Sequence, residues 1–364
     1  MSLGILPYVP EAIPAVRAFN QRLAAGGAAA DHEQFPESPD PGWMPGLELF
    51  LAVEEGSVRG GYMLRRQNFS VAGATVTAAH YRLPVSEGLV NRAYAMLGLR
   101  LVRDALAREP RLYAMGMAGW DKPLPQMLKR LGWSMAAIPF HFKVVHPARF
   151  LRHIRALRTS PLRRAALDLA AFTGAGWLGM KAIGIVTDHT RRLPPTPVDL
   201  APAFTPWADE VWERSRSAYA LLAERDAATL DRLYPPSDAR FLRVRAAGGW
   251  AVLLDTQMHD HKQFGGMRVG SIVDCLGPPE SAAAIVRASA SLLERRGVDL
   301  IVSNQSHAAW SGALLASGFR TGPSNYLLAL SPAFAQAVGQ AGHPLGPPVN
   351  FHFNRGDGDG PIHL

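Results

Sequence analysis

Cysteine is almost absent from this chain, because Cys275 is the only one among its 364 residues. A single thiol excludes an intrachain disulfide and is typical of a reducing compartment. Clusters of cysteine and histidine at metal-ligand spacing are also lacking, so we predict no metal site. The first twenty residues have neither the basic start nor the long apolar run of a signal peptide, and we therefore expect a cytoplasmic protein.

Lysine is scarce as well, since it makes up only 5 of the 38 basic residues. Arginine supplies nearly all of a positive charge that gives a net +8 and a pI near 9.9. Such a surface attracts anionic partners, among them nucleotide cofactors and lipid headgroups. No nucleic-acid-binding motif accompanies the charge, so we do not expect a nucleic-acid partner.

The sequence contains an internal repeat that is marked by glycines. Gly61 begins an apolar, strand-like stretch and Gly132 ends a helical pattern 71 positions later; Gly249 and Gly318 do the same at an interval of 69. The order of elements between these markers also agrees. We therefore predict an α/β protein made of two tandem modules, each a mixed, mostly antiparallel sheet flanked by helices.

The apolar periodicity predicts the same elements in both copies. In the first copy these are a hairpin within 53–64, a strand over 74–83, a helix over 90–108, a strand over 112–117, a helix over 124–131 and a last strand over 138–145. In the second copy they are strands over 251–254 and 267–276, a helix over 282–296, a strand over 298–303, a helix over 308–316 and a last strand over 326–330.

Between the copies lies a stretch that resembles neither of them. Arginines flank its apolar part, so a helical bridge between the domains is one interpretation, and peripheral contact with an anionic membrane through 152–192 is the other. The predicted division of the chain is an N-terminal domain, a bridge with linker, a C-terminal domain and a tail: 1–147, 148–204, 205–340 and 341–364.

The element order, with "LGW" at Leu131–Trp133 and "SGF" at Ser317–Phe319, resembles the GNAT superfamily of acyl-CoA-dependent N-acyltransferases. The motifs "PVSEGLVNRAYAMLG", "GMAGWDKPLP" and "RGDGDGP" are similar to those of acyltransferase-like proteins of bacterial exopolysaccharide gene clusters. The doubled module is also similar to that of the peptidoglycan-bridge aminoacyl transferases. The resemblance covers about residues 45–147 and 240–332.

The resemblance implies that the loop after the fourth strand holds the pyrophosphate of acetyl-CoA or another acyl-CoA, because amides at a helix N-terminus bind anions. In the first copy this loop is Val85, Ser86, Glu87, Gly88, Leu89, Val90 and Asn91. Its only glycine is Gly88, and Glu87 places a negative charge near the expected anion. In the second copy Pro278 and Pro279 remove two amide donors, so we expect the cofactor in the first copy.

The resemblance also implies that the reaction occurs where the fourth and fifth strands separate. His80 and Tyr81 lie near the end of the fourth strand, and Asp274 lies in the similar place of the second copy, so these three are the predicted catalytic residues. The tyrosine that many family members use as the acid is replaced by Leu128 and Leu314.

A loop after the fifth strand contains Trp120 and Asp121, an indole and a carboxylate that suit a sugar substrate, although a simple turn with Asp121 as a helix cap is equally compatible with the sequence. The functional hypothesis is an acyl-CoA-dependent N-acyltransferase that acts on a small molecule, an amino sugar or a glycan precursor. The alternatives are an aminoacyl-tRNA-dependent transferase and a non-catalytic module that binds a glycan or a protein partner.

Overall fold

The computed structural model describes residues 3–27, 34–40, 42, 46–155, 198–339 and 350–358. The strands are β1 (Gly4–Pro7), β2 (Leu47–Glu54), β3 (Ser57–Val71), β4 (Ala74–Ser86), β5 (Leu112–Gly116), β6 (Ser134–Ala137), β7 (Phe140–Val144), β8 (Asp199–Leu200), β9 (Leu221–Ala223), β10 (Leu242–Ala246), β11 (Gly249–Gln257), β12 (Arg268–Leu276), β13 (Leu300–Asn304), β14 (Arg320–Gly322), β15 (Leu327–Leu330) and β16 (Phe351–His352). The helices are α1 (Ile13–Ala25), α2 (Leu97–Arg108), α3 (Pro123–Arg130), α4 (Pro147–His153), α5 (Pro206–Ser215), α6 (Ala227–Leu233), α7 (Ala282–Arg295), α8 (Ala308–Ala316) and α9 (Pro332–Ala337).

The described residues form two compact units. Unit 1 combines the residues up to Ala136 with those from Leu327 to Gly339, and unit 2 contains the others, including the segment 350–358. The sheet of unit 1 has the order β1-β2-β3-β4-β5-β15-β6, and that of unit 2 has the order β14-β7-β13-β12-β11-β10-β8. Each sheet contains a parallel pair in this order, β4 with β5 and β12 with β13. The mixed, mostly antiparallel architecture predicted from the sequence is confirmed.

Two-residue turns connect the antiparallel strands. Glu55 and Gly56 both have positive φ, as the predicted hairpin requires, and Ala72 with Gly73 repeats the arrangement between β3 and β4. These turns twist in the same sense as the strands that they join. Gly132, predicted as the left-handed cap of a helix, has φ +78° after α3.

The last strands of the two copies are exchanged. β15, from the second copy, pairs with β5 in unit 1, where Leu330 faces Tyr113. β7, from the first copy, pairs with β13 in unit 2, where Val144 faces Leu300. The last strand predicted for each copy therefore lies in the sheet of the other unit. Both strands are short, apolar and preceded by a helix and a glycine turn, so the local pattern does not distinguish between the two acceptor sheets.

Most of the predicted bridge, from residue 156 to residue 197, lies outside the described residues, and so does the greater part of the proposed membrane-contact segment 152–192. Within the described residues, no helix is both long enough and apolar enough to cross a membrane.

Candidate functional site

The parallel strands β4 and β5 of unit 1 separate after two paired positions. Ala79 faces Leu112 and His80 faces Tyr113, after which β4 continues to Ser86 and no described strand pairs with it on that side. A bulge in β4 accompanies the separation: the register shifts opposite Gly61 and Met63, and Leu83 has φ +42°. A bulge bends the strand that carries it. The result is a gap between the carboxyl ends of β4 and β5.

His80 lies at the last paired position before this gap. Its side chain is buried, and its ring stacks on that of Tyr113 with centroids 4.6 Å apart. Neither ring nitrogen has a hydrogen-bond partner among the described residues. Burial lowers the pKa of the imidazole well below 6.5, and the charges of Arg82 and Arg65 lower it further. The ring is therefore neutral at pH 7, with a lone pair available to accept a proton.

Tyr81 points to the other face of the sheet, because side chains alternate along a strand. Its ring lies 5.5 Å from that of Tyr62, on the side where Asp104 of α2 contributes to its electrostatic environment. The hydroxyl is buried and accepts or donates no hydrogen bond within the described part of the chain. Burial raises its pKa well above 10, so the phenol keeps its proton at neutral pH. The gap is thus flanked by a neutral imidazole on one face and a protonated phenol on the other.

The predicted cofactor loop, Val85 to Asn91, does not lead directly into a helix. Val85 and Ser86 end β4, and a 3-10 turn follows over Glu87–Leu89. A second turn follows over Arg92–Tyr94, capped by the side chain of Asn91, and α2 begins only at Leu97. The prediction of a helix from residue 90 is therefore wrong. The apolar Val90 that suggested it packs against Gly26 of the region after α1 instead of continuing the stripe of α2.

Glu87 is buried rather than turned towards solvent. Its carboxylate accepts hydrogen bonds from Arg22 and from Arg59, each at 3.2 Å. Two guanidinium groups therefore offset the negative charge that the sequence places near the expected cofactor. Gly88 is required next to it, since an added Cβ would lie 2.5 Å from the carbonyl oxygen of Tyr94. Ser86 makes no capping hydrogen bond.

The first turn of α2 has backbone donors that an anion could use, a feature absent from the sequence-based predictions. The first amides of a helix have no intrahelical acceptor, and here they belong to Leu97, Gly98 and Leu99. No acidic residue occupies this turn, and Arg92 and Arg100 are exposed beside it. Gly98, which follows the turn Arg92–Tyr94, could have indicated where α2 begins. It was overlooked because the helix was predicted to begin at residue 90.

The loop after β5 lies at the same end of the sheet, because parallel strands place their carboxyl ends together. Gly116, Met117, Ala118 and Gly119 all have positive φ, a conformation that costs free energy at the two non-glycine residues. Trp120 follows with 43% of its surface exposed, and the side chain of Asp121 is 81% exposed. Lys122, not Asp121, is the N-cap residue of α3, and it makes no capping bond.

The two positions at which many GNAT enzymes have an acidic tyrosine contain leucine here, which cannot donate a proton. Leu128 of α3 and Leu314 of α8 are both fully buried in apolar surroundings. The described residues contain no group of three or more His, Cys, Asp or Glu side chains arranged to bind a metal ion. His80 and Tyr81 are titratable side chains at the point where β4 and β5 separate.

Unit 2 repeats the separation of two parallel strands. The pairing of β12 with β13 ends where Ile272 faces Ser303, and β12 continues to Leu276 after a register shift opposite Val252 and Leu253. Asp274 lies beyond Ile272, the last residue of β12 that pairs with β13, whereas His80 is itself the last residue of β4 that pairs with β5. The two residues therefore do not occupy corresponding positions. Asp274 is fully buried and accepts hydrogen bonds from Arg225, Tyr234, Asn354 and the amide of Cys275.

No protein-family model and no curated protein sequence matches the chain. Similar folds occur among solved structures. The chain is similar to Saccharomyces cerevisiae N-myristoyltransferase with bound myristoyl-CoA, at 10% identity over 91% of this chain and 78% of that chain, with a TM-score of 0.51. It is also similar to a protein of Enterococcus faecalis V583 described as a probable N-acyltransferase, at 8% identity over 90% of this chain and 72% of that chain, with a TM-score of 0.50.

A third neighbour is Eis1 from Mycobacterium abscessus, at 15% identity over 93% of this chain and 76% of that chain, with a TM-score of 0.47. The fold of the chain is similar to those of the yeast N-myristoyltransferase and of the Enterococcus faecalis protein. The predicted fold class is thus confirmed. The finer likeness to exopolysaccharide-cluster and peptidoglycan-bridge proteins stays a prediction, because none of these neighbours is described in those terms.

Proposed function

We propose that the protein is an acyl-CoA-dependent N-acyltransferase whose donor site is the gap between β4 and β5 of unit 1. The observation that carries the proposal is the pair of side chains at the start of this gap. His80 is buried and neutral, Tyr81 is buried and protonated, and neither has a hydrogen-bond partner among the described residues. Buried polar groups without protein partners are rare and are frequently satisfied by a ligand or a water molecule.

The donor's pyrophosphate is assigned to the mouth of the gap. The amides of Leu97, Gly98 and Leu99 and the positive end of the α2 dipole favour an anion there. The segment Val85–Asn91 forms the adjoining wall, and the ion pairs of Glu87 with Arg22 and Arg59 remove a source of repulsion. The amide groups of the pantetheine chain match the free edge of β4, which has no strand partner after His80.

The chemistry follows from the protonation states of the two flanking groups. The acceptor's amine nitrogen attacks the thioester carbonyl carbon, a carbon–nitrogen bond forms, and the carbon–sulfur bond breaks. His80 accepts the proton that the nitrogen loses, and Tyr81 donates a proton to the departing thiolate. The products are an amide and free coenzyme A, and the two side chains recover their original states by exchanging protons with solvent.

The acceptor is assigned to the loop after β5. Trp120 offers an exposed indole face for a ring, and Asp121 offers a carboxylate for hydroxyl or ammonium groups. Both follow the strained turn Gly116–Gly119 at the carboxyl end of β5. A hydroxyl-bearing amine such as an amino sugar fits this combination, and it is the acceptor class that we propose.

A turnover assay tests the proposal. Release of free thiol from acetyl-CoA, and from longer acyl-CoA donors, is followed with a panel of amines that includes glucosamine, an amino-acid amide and a simple alkylamine. We expect amine-dependent thiol release that His80→Ala reduces by at least about a hundredfold. Thiol release that is absent with every donor and acceptor, or that His80→Ala leaves intact, would contradict the assignment.

A further inference from the structure

The segment 350–358 is folded against unit 2. Phe351, Phe353, Asn354 and Asp357 are each at most 5% exposed, although the segment is only nine residues long. β16 pairs in parallel with β9, where Phe351 faces Leu221. Burial of this extent shows that the side chains of the segment are packed against other residues and are not exposed to solvent.

The segment lies in the gap between β12 and β13. On the β13 side, the amide of Ser306 donates to the carbonyl of Phe353 at 3.0 Å, and the amide of Phe353 donates to the hydroxyl of Ser306 at 2.7 Å. On the β12 side, Nε2 of His352 lies 2.7 Å from the carbonyl oxygen of Cys275. In unit 1, β4 pairs only with β3 and β5, and no further described strand enters the corresponding gap.

Arg225 connects the segment to β12. Its Nε donates to Asp274 at 2.8 Å and its Nη2 donates to Asp357 at 2.5 Å, and all three side chains are at most 2% exposed. Asn354 adds a second link, donating from Nδ2 to Asp274 at 2.8 Å. Removal of one partner from such a buried network leaves an uncompensated charge, which is strongly unfavourable.

The backbone of the segment approaches β12 closely at Gly356. An added Cβ would lie 2.5 Å from Oδ2 of Asp274 and still nearer the hydroxyl of Tyr234. Both of these atoms belong to buried groups that are held by other hydrogen bonds, so neither can move away. Only glycine fits at this position.

We propose that the gap of unit 2 is a peptide-binding groove whose ligand is the chain's own segment Phe351–Asp357, recognised through Arg225 and Asp274. Asp274 then anchors a peptide and takes no part in catalysis. The groove that resembles the donor site of unit 1 is closed to an acyl-CoA in unit 2. The proposal depends only on contacts within unit 2 and stands independently of the proposed function.

Hydrogen exchange of the full-length chain, read by mass spectrometry, is the first test. The amides of Phe353, Asn354 and Gly356 donate to buried side-chain oxygens, so the peptide covering 350–358 should exchange slowly. Gly356→Val should speed this exchange by at least about a hundredfold. Gly312→Val is the matched control, since no atom lies within 4 Å of a Cβ added in that helix, and it should leave the segment protected. Exchange of the wild-type segment at the rate of an unfolded peptide would overturn the proposal.

Binding in trans is the second test. A fluorescent peptide with the sequence of residues 350–358 should bind full-length Gly356→Val, whose groove is vacated, and not the wild type. The same peptide with Asp357→Asn should bind at least about tenfold more weakly, because it loses a charge-assisted hydrogen bond to Arg225. Equal affinity of both peptides, or equal binding to both proteins, would contradict the recognition through Arg225.

Full-length Asp357→Asn provides a milder variant in case Gly356→Val does not fold. It keeps the size of the side chain, and exchange of the segment should rise by at least about tenfold; an unchanged rate would count against the proposal. Coenzyme A binding is measured on the same proteins. If the wild type does not bind coenzyme A, the proposed function is wrong, but the exchange rate of the segment is unaffected. Failure of the proposed function can therefore be distinguished from failure of the peptide-groove proposal.

Discussion

The imidazole of His80 lies almost flat on the phenol ring of Tyr113, with centroids 4.6 Å apart and planes inclined by 11°. The two residues belong to adjacent parallel strands and form the last paired position before these strands separate. The ring of His80 is held by this stacking, and its two nitrogens have no hydrogen-bond partner among the described residues. This relationship places a neutral, oriented proton acceptor at the start of the gap, where the account puts the reacting atoms.

Replacement of His80 by alanine should lower kcat/KM by about 10² to 10⁴, the usual contribution of a general base. His141→Ala is a matched control, because His141 is also a buried strand histidine but lies in unit 2.

In the wild type, the acidic decline of kcat/KM should lie below pH 6.5, since the pKa of His80 is lowered and the neutral form is the active one. An acidic decline centred above pH 7 that disappears in His80→Ala would contradict this assignment.

Replacement of Gly98 by aspartate should weaken coenzyme A binding by about tenfold or more, as measured by calorimetry. The new carboxylate would lie in the first turn of α2, where it repels the pyrophosphate. The same charge interacts favourably with the helix dipole, and only the terminal methyl of Met127, 4.0 Å away, is near the new Cβ, so the fold should remain stable.

Gly312→Asp is the matched control for this variant. It makes the same substitution in another helix position with open space around the added Cβ. It should leave coenzyme A affinity unchanged. Equal weakening by both variants would show that a general effect of charge, rather than the first turn of α2, is responsible.

Replacement of Trp120 by alanine should raise the KM for the amine acceptor by about tenfold, with little change in the KM for the acyl-CoA. The exposed indole is assigned to the acceptor alone, so the two constants should respond differently. Trp120→Phe keeps an aromatic face and should restore most of the affinity. A parallel rise of both constants would place Trp120 in the donor site instead.

The free energy of unfolding should fall as the pH is lowered from 6.5 towards 4. Burial lowers the pKa of His352 to about 3 and that of His141 to about 4. Unfolded histidine titrates near 6.5, so in this window the unfolded chain binds more protons than the folded chain, and acid favours unfolding. Each group contributes about 1.4 kcal/mol per pH unit.

Urea unfolding at several pH values measures this slope. His141→Phe should reduce it by about 1.4 kcal/mol per pH unit, because one titrating group is removed. A slope that is the same in wild type and variant would show that folding does not lower the pKa of His141.

The sequence predicted the repeated parts of the fold because each depends on local chemistry. Gly56 permits the tight turn of a hairpin, and Gly132 permits the left-handed end of α3. The exchanged strands β7 and β15 were not predictable in the same way, since pairing partners are set by tertiary packing and their sequences suit either sheet.

The candidate site was predicted only in part. The resemblance to the GNAT superfamily directed attention to His80 and Tyr81, because it implies a reaction near the end of the fourth strand, and alternation along the strand placed the two side chains on opposite faces. The true start of α2 depends on Val90 packing against a glycine 64 positions earlier in the chain, Gly26, which no periodicity reveals. The role of Asp274 depends on a segment that returns from the C-terminal end of the chain to meet it.

A crystal structure with bound coenzyme A would show whether the donor site lies in unit 1. We expect one molecule per chain, in unit 1, with its pyrophosphate on the amides of Leu97–Leu99 and its pantetheine chain along the edge of β4 after His80. Coenzyme A in the gap of unit 2, in place of the segment Phe351–Asp357, would contradict the account, as would an empty gap in unit 1 at saturating concentration.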